Sequence, residues 1–387
     1  MSAIAQTHGL DGKLVAPDWP PLTKQEVARV LQQYAAPSSN VRLLSVSPRP
    51  FSAASVVEAG NQRVFVKRHA RAVRNAEALR EEHAFMAHLR THGASVPRVL
   101  DTQDGATAVE LGEWTYEVHE LPSGIDLYQD AISWTPFFHA SHAFSAGHVL
   151  AKLHQASAGY NAAPRTNRPL VAGFSIFAAA DSGKSLAIWL ETRPELADYL
   201  HQQGQWLGMS MALLHPFHAE LLPLLPALQP LWTHNDLHPS NLFWSGAGKQ
   251  ASVTSIIDFG LSDRTNAVHD LANAIERSIV EWITLTQHPD KPDQVAIHFD
   301  HLAALLEGYE SIRPLTPQEL AALAPMTALC HAEFALSEAD YFLTVLRSEE
   351  KTRIAVHDYL LGHAIWWRGA GEKLLDGIRA WAGKKSQ

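Results

Sequence analysis

Asp236, Asn241 and Asp258 offer a carboxylate, a carboxamide and a second carboxylate within two short stretches. These are Trp232-Thr233-His234-Asn235-Asp236-Leu237-His238-Pro239-Ser240-Asn241-Leu242-Phe243 and Ile256-Ile257-Asp258-Phe259-Gly260. One carboxylate of such a set can take a proton from a hydroxyl, while the amide oxygen and the other carboxylate hold hard cations against a triphosphate. The chemistry implied is phosphoryl transfer from a magnesium nucleotide. Asp236 follows the apolar Leu231-Trp232 in a polar, proline-punctuated segment, a loop from which it can act as catalytic base. Asn241 is flanked by Leu242 and Phe243, as on a loop entering a buried strand, and its carbonyl oxygen suits magnesium. Asp258 closes the β-branched run Val253-Thr254-Ser255-Ile256-Ile257, and a strand end is a rigid place for a metal ligand.

Taken singly, Asp236 and Asn241 are also ordinary turn and cap residues. A zinc site from His234, Asp236, His238 and Asp258 is a further reading, but the chain has no partner motif such as His-Glu-x-x-His. The joint pattern His234-x-Asp236-x4-Asn241, Asp258-Phe259-Gly260 and His269-Asp270-Leu271-Ala272 resembles the aminoglycoside phosphotransferase and choline kinase superfamily. That resemblance implies an α+β, bilobal protein-kinase-like fold, use of ATP or GTP with Mg, and a small-molecule hydroxyl as acceptor. It assigns Asp236 as base, Asn241 and Asp258 as magnesium ligands, His234 as a brace of the loop and Asp270 as a support at the start of the next helix. It runs from residue 23 to the end of the chain. The phrase Leu306-Glu307-Gly308-Tyr309-Glu310-Ser311-Ile312-Arg313-Pro314-Leu315 resembles homoserine-kinase-type and stress-response-kinase-type members. It favours a metabolite hydroxyl over the other acceptors open to such a fold, an antibiotic or a protein serine or threonine. A non-catalytic nucleotide-binding module is the alternative of another class.

The elements needed to position these groups follow. Residues 1–22 read as an irregular extension with Asp11-Gly12 and Pro20-Pro21 as breakers, residues 23–121 as a small nucleotide-binding lobe and residues 122–387 as a large, mainly helical catalytic lobe. In the small lobe Thr23 and Glu26 form a capping box, with Leu22 and Val27 as its hydrophobic staple. Strands are expected at Val41 to Val46, Ser55 to Ala59, Gln62 to Lys67, Ala106 to Leu111 and Thr115 to Glu120, a five-stranded antiparallel sheet with a helix from Asn75 to Arg90. Lys67, at the end of a short apolar strand, and Glu82, with Glu77 and Glu81 as rivals, match the family's phosphate-binding lysine and its glutamate partner. The turn Ser47 to Ser55 has no glycine, so backbone amides around Ser52 and Ala53 would have to approach the phosphates past small side chains. Val118 to Gly124 reads as a hinge, and the resemblance nominates the main chains of Glu120 and Leu121 for the adenine edge.

In the large lobe Ala146, Val149, Leu150 and Leu153 recur with helical period ahead of His154. Helices are expected over Leu271 to Leu285, Val295 to Tyr309, Pro317 to Thr344 and Lys351 to Trp381. Glu333, Glu338, Asp340 and Tyr341 could meet an acceptor but read mainly as solvated, and Trp366 and Trp367 as core. Ser182-Gly183-Lys184-Ser185 mimics the end of a phosphate-binding loop, but Ala178 stands where its first glycine belongs, so it reads as a surface loop.

Composition agrees. The 387 residues are 46% hydrophobic and 18% charged, enough apolar content for two cores. The single cysteine, Cys330, excludes an intrachain disulfide and fits a reducing cytoplasm. A net charge of −9 argues against nucleic-acid binding. Neither a secretory leader nor a membrane span is expected.

Overall fold

The computed structural model describes residues 7–8, 14–15, 17–34, 40–47, 49–165 and 169–385; Asp11-Gly12 and Pro48 lie outside them. The chain divides into two compact units, residues 1–124 with 254–257, and residues 125–253 with 258–387.

In the first unit, helix α1 (Lys24–Leu31) starts at a capping box. The Thr23 hydroxyl accepts the Glu26 N–H at 3.2 Å, and the Glu26 carboxylate accepts the Thr23 N–H at 3.1 Å. Val27, Val30 and Leu31 share one face and bury it with Val57, Val64, Val66 and Val118 of the sheet. Strands β1 (Arg42–Leu43), β2 (Ala53–Ala59), β3 (Gln62–Ala70), β4 (Val109–Leu111) and β5 (Trp114–Glu120) form an antiparallel sheet in the order β1-β2-β3-β5-β4. Helix α2 (Ala76–Thr91), capped by Asn75, joins β3 to β4.

The fold class and strand count agree with expectation; the ends do not. Regular pairing of β1 covers two residues, although Leu44 N–H still donates to the Val56 carbonyl at 2.8 Å and Ser47 N–H to that of Ala54 at 2.9 Å. Strand β3 continues past Lys67 to Ala70, so Lys67 lies inside the strand, opposite Glu117. The polar Arg68-His69 hid this continuation because both are buried on partners: Arg68 pairs with Glu26 at 2.6 Å and His69 with Glu117 at 2.9 Å.

The second unit is mainly helical. Helix α3 (Ala140–Ser157) crosses α5 (Phe299–Glu310) closely, while β6 (Pro230–Thr233) pairs antiparallel with β7 (Asp263–Asn266), which leads into α4 (Ala267–Ile279). A Cβ at Gly147 of α3 would overlap the Leu305 carbonyl, and one at Gly308 of α5 the Phe144 carbonyl. These glycines let the two backbones touch.

Two long helices expected here are interrupted. The one from Leu271 breaks at Val280, which is extended, before a short helix at Trp282–Gln287. That over Lys351 to Trp381 contains a π-helical stretch at Ile354–Leu361 and a break at Gly369–Gly371, where the Trp366 ring leaves no room for a Cβ on Gly371. The helix expected from Pro317 runs on to Val345 as α6 (Pro317–Leu329), α7 (His331–Asp340) and a π-helical turn at Tyr341–Val345, joined through Cys330 in helical conformation. Among the described residues, Pro317–Val345 is the one helix long and apolar enough to cross a membrane, and 94% of its apolar window is buried inside the protein. Ser182-Gly183-Lys184-Ser185 is not a loop. It opens a helix (Ser182–Glu191) because the Asp181 side chain accepts the Lys184 N–H at 2.9 Å.

Gly147→Ala and Gly308→Ala should each lower the unfolding free energy by about 1–3 kcal/mol or more, read by urea denaturation, because the added methyl meets backbone. Gly183→Ala, which meets no atom closer than 3.5 Å, should be neutral or slightly stabilising.

Candidate active site

Strand β6 ends at Thr233, and the chain then turns through Asn235, whose φ is 61°. Asp270 in the first turn of α4 holds the turn by accepting the His234 N–H at 2.8 Å and the Asn235 N–H at 2.7 Å. His154 of α3 supports that carboxylate through Nε2 at 2.9 Å, and its Nδ1 lies 2.7 Å from the Tyr309 hydroxyl of α5. Burial alone would raise the Asp270 carboxyl, but the hydrogen bond and charge of His154 hold it below the usual value. The α3/α5 crossing thus aims His154 and Tyr309 at the support of the loop. His234 braces the loop from within: its Nδ1 accepts the Asp236 N–H at 3.2 Å, and its ring meets Phe259 edge-on at 4.7 Å.

Asp236 is the focus. Asn241 donates its amide to the Asp236 carbonyl at 2.9 Å and to Oδ2 at 3.0 Å, which leaves the amide oxygen for a cation. Asn241 closes a short 3₁₀ turn (Pro239–Asn241) that enters the strand Leu242–Trp244. Asp258 lies two residues beyond the strand Val253–Ile256, in the left-handed region at φ 60°. Such a conformation is tolerated by aspartate and is typical of functional sites. Burial pushes the Asp236 carboxyl up to about 6; the Arg277 charge opposes the rise and the Asp258 charge adds to it. Two carboxylates that repel in this way form a place for a divalent ion.

Arg277 was not legible as a site residue. Its Nη1 donates to Asp236 Oδ1, and its guanidinium carbon lies 5.1 Å from the Trp134 ring centre and 4.9 Å from that of Phe334. It is fully buried, as is its neighbour Glu276. The sole signal in the sequence is the spacing of Asp270 and Arg277, two helical turns apart on α4. A charged pair in a helix ordinarily marks a solvated face. Here every residue of α4 is buried.

Glu333, Glu338, Asp340 and Tyr341 correct the expectation of a solvated face, for all four are buried. Glu333 accepts the Ser175 and Ile176 N–H groups at 2.6 and 3.1 Å, and Asp340 lies 3.6 Å from Arg193, so both serve structure. Trp366 and Trp367 are core residues packed with Trp282.

In the first unit, α2 buries Glu82 while Glu77 is exposed and Glu81 half-buried, which distinguishes the three. Lys67 and Glu82 both act on His69, Lys67 lowering and Glu82 raising its pKa, so both lie close to it. Ser52 forms the bend before β2 and Ala53 its first residue. Glu120 ends β5 and Leu121 follows it exposed; the Glu120 N–H is taken by the Arg98 carbonyl at 2.9 Å, so only its carbonyl could meet adenine.

The sequence model of the phosphotransferase enzyme family matches residues 50–315. The chain belongs to that family. It is an enzyme, a phosphotransferase of kinase type. It is 27% identical over 281 residues to the homoserine kinase of Gluconacetobacter diazotrophicus, covering 71% of this chain and 74% of that one. It is also 27% identical over 241 residues to the homoserine kinase of Gluconobacter oxydans, where the match spans 62% of this chain and 63% of the relative. In fold it is similar to a microcompartment-associated aminopropanol kinase, at TM-score 0.58 and 19% identity over 92% of this chain and 99% of that one. It is likewise similar to amicoumacin kinase in complex with AMP-PNP and calcium, at TM-score 0.55 and 12% identity over 88% and 93%.

If Asp236 works ionised with its pKa near 6, kcat/KM should fall about tenfold per pH unit below that value. Arg277→Met removes the charge that opposes the rise, so the acid limb should move upward, whereas Arg277→Lys should restore much of the original profile. A limb at the same pH in all three proteins would exclude Arg277 from the control of Asp236.

Proposed function

We propose that the enzyme transfers the γ-phosphoryl group of ATP, with GTP as a second nucleotide, to the hydroxyl of a small amino alcohol. The observation that carries this reading is the Asp236 carboxylate, half-buried, faced by Arg277 and tied by the Asn241 amide. In this reading residues 23–121 are the nucleotide-binding lobe and residues 122–387 the catalytic and acceptor-binding lobe. Lys67, steadied by Glu82, binds the phosphates; amides at Ser52 and Ala53 cover them, and the main chain at Glu120 and Leu121 meets the base. Asn241 and Asp258 hold magnesium, which fits an amide oxygen turned away from Asp236 and a carboxylate whose charge raises its neighbour. When bound, magnesium supplies charge neutralisation for the phosphates. Asp236 orients the acceptor hydroxyl and takes its proton as that oxygen forms its bond to phosphorus and the bond to the departing ADP breaks.

An amine on the acceptor is supported by Glu276. Neither of its carboxylate oxygens, both buried, has a hydrogen-bond partner among the described residues. His363 Nδ1 stands 3.3 Å away and Arg277 Nε 3.9 Å away; burial pushes the His363 and His331 rings down to about 3 and about 4, so the cation beside Glu276 is Arg277, which is shared with Asp236. An ammonium group donating to Glu276, against the aromatic rings of Trp134, Phe334 and Tyr359, would satisfy that carboxylate. Trp134 is held at φ 65°, a strained conformation for a bulky residue and one typical of ligand-binding walls. The relatives named homoserine kinase and aminopropanol kinase act on molecules with both groups.

Magnesium-dependent phosphate transfer should therefore be found for amino alcohols such as homoserine and aminopropanol and be far weaker for their amine-free analogues. Asp236→Ala should lower kcat by about 10² to 10⁴ with nucleotide binding kept, and normal turnover would remove Asp236 from the mechanism. Asp258→Ala should abolish the magnesium dependence of nucleotide binding, and an unchanged magnesium titration would remove Asp258 as a ligand. Glu276→Gln should raise KM for the amine-bearing acceptor at least tenfold without changing nucleotide affinity; equal loss with the amine-free analogue would contradict the ammonium site.

A further inference from the structure

A second group of ligand-type side chains lies wholly within the first unit. Glu117 and His119 are alternate residues of β5 and share one sheet face, and the register of β3 on β5 puts Lys67 opposite Glu117 and His69 on the same face. His83 reaches this face from α2. Three imidazoles converge on the single carboxylate. His69 Nε2 lies 2.9 Å from Glu117 Oε1, while His83 Nε2 and His119 Nε2 lie 2.7 and 2.9 Å from Oε2. The Glu117 side chain is 1% exposed, His83 2% and His119 12%, so the cluster is buried with one edge toward solvent.

His83 Nε2, His119 Nε2 and a Glu117 oxygen all lie within 4.8 Å of one another. Two imidazoles and a carboxylate, with a position left open, form a zinc-type ligand set. The other Glu117 oxygen is already bonded by His69, the outer support that a ligating carboxylate needs. We propose that His83, His119 and Glu117 bind one divalent cation of the zinc class, with His69 orienting the carboxylate. Tetrahedral ligands at about 2.0–2.1 Å stand roughly 3.3 Å apart, so the present contacts open by about half an ångström to admit the ion. The ion takes the place of the Nε2 protons, which pass to Nδ1 of each ring or to solvent. His83 Nδ1 makes no hydrogen bond among the described residues and can receive its proton. The partly exposed His119 gives the ion its entry. Bound there, it ties α2, the helix of Glu82, to the strand that pairs with the strand of Lys67.

The test is metal binding by the full chain after chelator treatment, without nucleotide or magnesium, using zinc chloride in calorimetry and cobalt(II) in absorption spectroscopy. One equivalent should bind, with intense cobalt d–d bands of a four- or five-coordinate site and a rise in Tm. His83→Ala and His119→Ala should each weaken binding at least a hundredfold, and Asp258→Asn should leave it unchanged. Should His83→Ala fail to fold by circular dichroism, His119→Gln, at the exposed edge, supplies the readout. Affinity weaker than about 1 mM, or binding that survives substitution of His119, would overturn the site and assign any zinc uptake to scattered surface histidines.

Discussion

A carboxylate proposed to work ionised is held where ionisation is disfavoured, and much of the second unit answers that constraint. Asp236 is half-buried, and Asp258 adds like charge. Opposed to these is one buried guanidinium, Arg277, itself held by the faces of Trp134 and Phe334. A base poised near neutrality has both the required protonation state and enough basicity to take a hydroxyl proton. Burial supplies the basicity, and Arg277 keeps the group from neutralising altogether.

The same residues explain why the helices around the site are so thoroughly buried. Helix α4 presents Asp270 to the loop before Asp236 in its first turn and Arg277 to Asp236 two turns later, and its whole length is enclosed. Enclosure demands close backbone contact where α3 crosses α5, which Gly147 and Gly308 allow. That crossing brings His154 and Tyr309 to Asp270. The chain from glycine to histidine to aspartate to loop amide is continuous, and each link is a packing or hydrogen-bond requirement of the next.

The fold class, the five strands and the groups around Asp236 were legible in the sequence because their signals are local: β-branched runs, a capping box, and a carboxylate and amide at fixed offsets on a loop. What escaped was set by tertiary contacts. Lys67 reads as a strand end because Arg68 and His69 follow, yet partners at Glu26 and Glu117 let both enter the sheet. Glu333 and Glu338 read as solvated, and nothing singled out Arg277 or Glu276, since helical periodicity does not reveal a helix covered on every side. The helix over Lys351 to Trp381 breaks at Gly369–Gly371, where the Trp366 ring leaves no room for a Cβ on Gly371. The imidazoles around Glu117 come from three elements, and no short motif could bring them together.

Asp236 should titrate well above an ordinary aspartate and under the control of Arg277. Carbon-13 NMR of aspartate-labelled enzyme, with the Asp236 signal assigned from the spectrum of Asp236→Asn, measures this directly. The midpoint should lie near 6 and move upward in Arg277→Met. A midpoint near the ordinary value of about 3.9, unmoved by that substitution, would contradict it.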